Sequence, residues 1–165
     1  MKGIVYREGN RLVWKYDDEM LWIEPWGRDS LRVRVTHLYE MPGQDWALLS
    51  VKETEAVIEI TEDAATITNG NITAVCDGLG RLTFTNEKGE VLLKERWEDR
   101  AVDVDMMATD NYARVMKSFG GAIPEAAMTF EANEEEKIFG MGQRQLSFLE
   151  LKGAELELCH KNSQS

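Results

Sequence analysis

Two histidines, His37 and His160, are the side chains best placed to move a proton near neutral pH. Neither has a carboxylate beside it in sequence. His37 closes an alternating run from Leu31 to Thr36, which suits a structural histidine at a strand end. His160 sits in the polar run Cys159-His160-Lys161-Asn162-Ser163-Gln164-Ser165, where a role in binding is easier to support. The 30 carboxylates outnumber the 19 basic side chains, giving a formal charge of −11. Glycoside chemistry needs two carboxyl groups at a set separation with differently tuned acidity, and no spacing here selects such a pair. Glu134-Glu135-Glu136 reads as a solvated turn, and Glu155 and Glu157 as the wet face of a strand.

Other chemistry-bearing types are weaker still. Gly140-Met141-Gly142-Gln143 lacks the remainder of a phosphate-binding loop, so close backbone packing in a strand is the simpler expectation. Cys76 and Cys159 form no CxxC or Cys/His cluster, which predicts buried free thiols and neither a zinc site nor a disulfide framework. No metal or cofactor is expected. Tryptophans at 14, 22, 26, 46 and 97 could stack on the apolar faces of sugar rings, although core positions in a sandwich account for most of them. Met106 and Met107 read as gap-filling core residues.

The elements that must carry these groups are strands. Leu31, Val33 and Val35 alternate with Arg32, Arg34 and Thr36, and Leu82 and Phe84 alternate with Arg81, Thr83 and Thr85. Period-two alternation is the mark of a strand with one wet and one buried face. Asn69-Gly70 predicts a two-residue hairpin loop that sets Ile67 opposite Ile72. With turns at Asp77-Gly78-Leu79-Gly80 and Asn86-Glu87-Lys88-Gly89, four short strands form a meander from about Ala64 to Leu93. Arg7-Glu8-Gly9-Asn10 joins Ile4-Val5-Tyr6 to Leu12-Val13-Trp14 in a further hairpin, and Leu156 and Leu158 begin a late strand. Only Trp97 to Thr109 and Glu131 to Glu136 leave room for a short helix. Many strands at short spacing predict an all-β, antiparallel sandwich filling residues 1–165 as one domain.

The acidic balance disfavours nucleic acid and anionic membrane surfaces as partners. No apolar run reaches the length of a membrane span or a secretory leader, so a cytoplasmic protein is expected. At 165 residues the chain is too short for an (α/β)₈ barrel, which takes about 250.

Several segments, in order, resemble glycoside hydrolase family 31, the α-glucosidases and α-xylosidases. Glu24-Pro25-Trp26-Gly27-Arg28-Asp29-Ser30-Leu31-Arg32-Val33-Arg34 resembles an early strand of that family. Thr129-Phe130-Glu131, followed by Glu136 to Arg144 (Glu-Lys-Ile-Phe-Gly-Met-Gly-Gln-Arg), is similar to its segment leading into a Gly-x-Gly-Gln/Glu-Arg motif. Leu149 to Gly153 and Asn162-Ser163-Gln164 look like the loop that follows. The resemblance implies a galactose-mutarotase-like N-terminal sandwich, packed in a longer enzyme against a catalytic barrel that this chain lacks. It also implies a loop that reaches the rim of the substrate pocket, for which His160, Lys161 and Asn162 are the closest candidates, with a purely structural loop as the alternative. The family's Trp-x-Asp-Met-Asn-Glu nucleophile motif is absent: Trp97-Glu98-Asp99-Arg100 shares only the Trp and one displaced carboxylate. The chain alone is therefore expected to be inactive, with no catalytic residue, a carbohydrate as the substrate of the longer enzyme, and an exposed strand edge open to self-association. A free-standing carbohydrate-binding module and an aldose epimerase-like protein are the alternatives.

Overall fold

The computed structural model describes residues 3–45, 48–96, 114–118, 124–140 and 149–156. The chain forms a larger unit, Met1–Glu131, and a smaller one, Ala132–Ser165. Among the described residues every regular element is a strand. In the larger unit β1 (Ile4–Glu8), β2 (Arg11–Tyr16), β3 (Glu19–Pro25) and β4 (Leu31–Thr36) make one antiparallel sheet in chain order. A second sheet holds β5 (Val57–Ile60), β6 (Ala64–Asn69), β7 (Ile72–Asp77), β8 (Leu82–Asn86) and β9 (Val91–Lys94), again in chain order. The hairpin of β10 (Arg114–Ser118) and β11 (Pro124–Met128) follows. Just beyond β11, the Arg96 and Glu131 amides donate to the Thr129 and Lys94 carbonyls, which joins the hairpin to the end of β9.

The alternation sorts side chains as the sequence predicts. Register sets Leu12 opposite Ile23 and Trp14 opposite Leu21, while Ile23 and Leu21 meet Val33 and Val35 on β4. On the second sheet Ile67 pairs with Ala74 and Ala65 with Cys76, and Cys76 in turn pairs with Leu82. These residues form one continuous core, with β1 against β5 and β2 and β3 against β6. Leu12, Leu21, Ile23 and Ile67 are wholly excluded from water. Each such side chain contributes about 1.5–3 kcal/mol of burial free energy, so this layer dominates the stability of the sandwich. The outward face of the second sheet carries small β-branched groups, where Thr68 and Thr73 share a hydroxyl hydrogen bond of 2.8 Å.

The four-strand meander is present, but its first loop is Gly70-Asn71 in place of Asn69-Gly70. Asn69 pairs with Ile72, so Ile67 meets Ala74 and not Ile72. The cause is the Asn69 side chain, which is buried and donates to the Gly27 and Ser30 carbonyls, both at 2.7 Å. It is committed to the β3–β4 turn and held inside the strand. Gly70 takes the positive φ of 60° at the first loop position, the type II′ pattern, and lies too close to Asp29 for a Cβ. Asp29 also accepts from the Asn71 amide at 2.8 Å, so one turn of each sheet grips the other.

Two further expectations change. Gly140 lies outside any strand, at φ 100° with open space where a Cβ would stand. Its glycine therefore answers to backbone conformation and not to close packing. Glu155 and Leu156 lie outside any strand, and Glu157 and Leu158, the rest of the expected late strand, lie outside the described residues. Glu134 and Glu135 do form an exposed turn, capped by the Asn133 side chain accepting from the Glu135 amide. Trp97 to Thr109, with Met106 and Met107, lie outside the described residues, as do Trp46, Met141 to Gln143 and Cys159.

Candidate functional site

The core layer ends in charge. Glu19 continues the inward parity of Leu21 and Ile23 and is buried; Glu95, just past β9, is 2% exposed; and Arg114, at the start of β10, is 6% exposed. The Arg114 guanidinium lies 3.0 Å from a Glu19 oxygen and 3.3 Å from a Glu95 oxygen, and donates to the Gly80 carbonyl at 2.8 Å. The second Glu95 oxygen accepts from the Leu82 amide at 2.8 Å. Three residues remote in sequence thus tie together β3, the β7–β8 turn, the end of β9 and the β10–β11 hairpin.

Burial pushes the Glu95 carboxyl above its ordinary range, with Arg114 and the Leu82 amide pulling the other way. Burial likewise drives the neighbouring Cys76 thiol up to about 12, which leaves it protonated and inert as a nucleophile. Cys76 is a free buried thiol, as expected from its spacing. The two carboxylates do converge, yet both converge on a guanidinium that occupies the space between them. Such an arrangement braces; it does not present an acid and a base to a substrate.

His37 follows β4, where the fold supplies the acids that its sequence neighbours lack. Nδ1 lies 3.3 Å from Asp18 and Nε2 lies 3.9 Å from Glu19. This matches the strand-end structural role. His160, Lys161 and Asn162 lie outside the described residues, so their proposed place at a pocket rim is carried by the resemblance alone.

The tryptophans divide by face. Trp14 is buried in the core beneath Gly80, whose positive φ and lack of a Cβ let the turn lie on the indole. Trp22 and Trp26 are half-buried and belong to the outer face of the first sheet, which corrects their assignment to the core. Trp22 alternates with Leu21 and Ile23, so parity alone turns it outward. Arg11 and Arg34 stack on its ring, 4.0 and 5.0 Å from the centroid, and Arg32 stacks on Trp26 at 4.6 Å. Glu24 accepts from Arg34 at 2.8 and 3.0 Å, while Asp45 pairs with Arg32. That hydrogen bond holds the Asp45 carboxyl below the usual carboxylate range.

Among the described residues, fold and site together define an antiparallel sandwich whose buried acids Glu19 and Glu95 are spent on structure and whose outer tryptophans, Trp22 and Trp26, are clad in arginine. No protein-family profile matches the chain. It is 39% identical over 168 residues to an uncharacterized family 31 glucosidase, ORF2, of Pseudescherichia vulneris; that alignment covers 94% of this chain and 31% of the relative. The crystal structure of a GH31 α-xylosidase from a soil metagenome, complexed with xylose, superposes with a TM-score of 0.84 at 42% identity, over 98% of this chain and 25% of that one. Over nearly its whole length the chain is therefore similar to a part of two glycoside hydrolase family 31 proteins, in line with the resemblance carried by its motifs. It spans about a third of the curated relative and a quarter of the solved one.

Proposed function

We propose that this chain serves as the N-terminal β-sandwich of an α-glycosidase that hydrolyses α-glucosides or α-xylosides, non-catalytic by itself, bracing a catalytic barrel and lining part of its substrate pocket. The observation that carries this reading is the extent of the likeness: nearly all of this chain matches a small share of two much longer family 31 proteins. The site chemistry supports it, because the inward carboxylates Glu19 and Glu95 are locked on Arg114 and cannot supply the two free carboxyl groups, about 5–5.5 Å apart, that retaining hydrolysis requires. In this role His160, Lys161 and Asn162 approach the bound sugar, and the protein works in the cytoplasm. No helix among the described residues is long and apolar enough to cross a membrane.

A segment exchange tests the reading. Placing this chain in the soil-metagenome α-xylosidase in place of the quarter it matches should give a folded hybrid that still cleaves α-xylosides. A hybrid that folds and binds xylose but turns nothing over would argue against a bracing role.

A further inference from the structure

Where β2 begins and β3 ends, the outer face of the first sheet meets Asp45 and the chain from Leu48 to Thr54 across a cleft of about 470 Å³. This lies within the roughly 300–1,000 Å³ typical of small-molecule sites. The far wall is pinned to the sandwich: the Asn10 side chain donates to the Thr54 carbonyl at 2.6 Å and accepts from the Ala56 amide at 2.9 Å, and the Thr54 hydroxyl donates to the Gly27 carbonyl at 2.9 Å.

The lining mixes an aromatic ring with fixed hydrogen-bonding groups. Trp26 carries the Arg32 guanidinium on its ring, and Leu48 and Val51, 46% and 40% exposed, add apolar surface. Glu24 is oriented by Arg34 and Asp45 by Arg32, so both present acceptors already set in place. Arg11 meets Glu24 and Glu8 at 3.7 and 3.9 Å, too far for hydrogen bonds, which leaves donors for a ligand. Glu53 adds an exposed acceptor at the rim. Glu24 and Asp45 are balanced by Arg34 and Arg32, which leaves Arg11 and Glu53 as the remaining opposite charges of the cleft. With its charges balanced, the cleft favours a neutral ring, whose edge hydroxyls and C–H faces both find partners.

We propose that this cleft is a binding site for a neutral pyranose or a short neutral oligosaccharide, centred on Trp26 and acting without catalysis. Occupancy needs only the residues named, so it stands or falls separately from the glycosidase assignment.

Amide chemical-shift titration of the isotope-labelled 165-residue chain with xylose, glucose and maltose tests this. Saturable shifts should cluster at Asn10, Arg11, Trp26 and Leu48 to Thr54. Added salt should leave the glucose affinity unchanged. Trp26→Ala should weaken binding about tenfold. Because Trp26 also packs on Arg32, the exposed Glu53→Ala variant provides a second reading with no risk to the fold, and should weaken binding by about threefold or more. Absence of saturable shifts, shifts confined to other surfaces, or unchanged affinity in folded Trp26→Ala and Glu53→Ala would each overturn the proposal. Failure here leaves the bracing role standing, and turnover of a glycoside would remove that role without touching this cleft.

Discussion

The two faces of the first sheet solve the burial of arginine in opposite ways. On the inner side, Arg114 is enclosed between Glu19 and Glu95 at the end of an aliphatic layer. On the outer side, Arg34 rests on Trp22 with Glu24 beside it and its side chain still 19% exposed. Inside, two carboxylates share one guanidinium, and desolvation sets the energetics. Outside, the pair keeps some contact with water, and stacking on the indole adds to the ion pair. The same residue type is therefore a structural keystone on one face and a replaceable cover on the other.

The sharpest way to break this contrast is Arg114→Met, which strands two buried carboxylates. It should lower unfolding free energy by about 3–5 kcal/mol in urea titration, and a loss below 1 kcal/mol would place Arg114 among the replaceable residues. Leu21→Ala removes a wholly buried side chain from the aliphatic part of the same layer, with an expected loss of about 2–5 kcal/mol in the same assay.

Glu95→Gln refines the inner half through pH. The folded state holds the Glu95 proton more tightly than the unfolded chain does, so the native form gains from protonation below the ordinary value of 4.5 and loses that gain as pH rises through the higher folded value. The melting temperature of the wild type should therefore fall relative to Glu95→Gln as pH climbs from about 4.5 toward neutrality. Parallel curves would show that burial does not govern this carboxyl. Smallest of all, Arg34→Met keeps apolar contact with Trp22 and should cost about 1 kcal/mol or less by urea titration. A loss as large as that of Arg114→Met would erase the distinction between faces.

How much of this was legible depended on whether the cause was local. Leu31 to Thr36 and Ala64 to Leu93 announced themselves because a half-buried strand writes its two faces at alternate positions. The same parity already turned Trp22 outward, against the habit of assigning tryptophan to the core. Once the β3–β4 turn is fixed, pairing sets Trp22 beside Arg34. The Asn69-Gly70 turn was misplaced by one residue because its deciding partners, Gly27 and Ser30, lie some forty positions away. The cluster of Glu19, Glu95 and Arg114 left still less trace. Its members come from three separate segments, and their only local sign is that Glu19 shares the parity of Leu21 and Ile23. His37 gained its acids, Asp18 and Glu19, from strand pairing and not from neighbours in the chain. The family likeness was readable because it rests on motif order, which survives where single residues carry little.

Under the proposed role the chain builds a scaffold and bond cleavage falls to other polypeptide. Following p-nitrophenyl α-glucoside and α-xyloside with the purified 165-residue protein over days tests it most directly. Release of p-nitrophenol should track the protein-free control, while turnover that scales with protein concentration and persists through repurification would contradict the account.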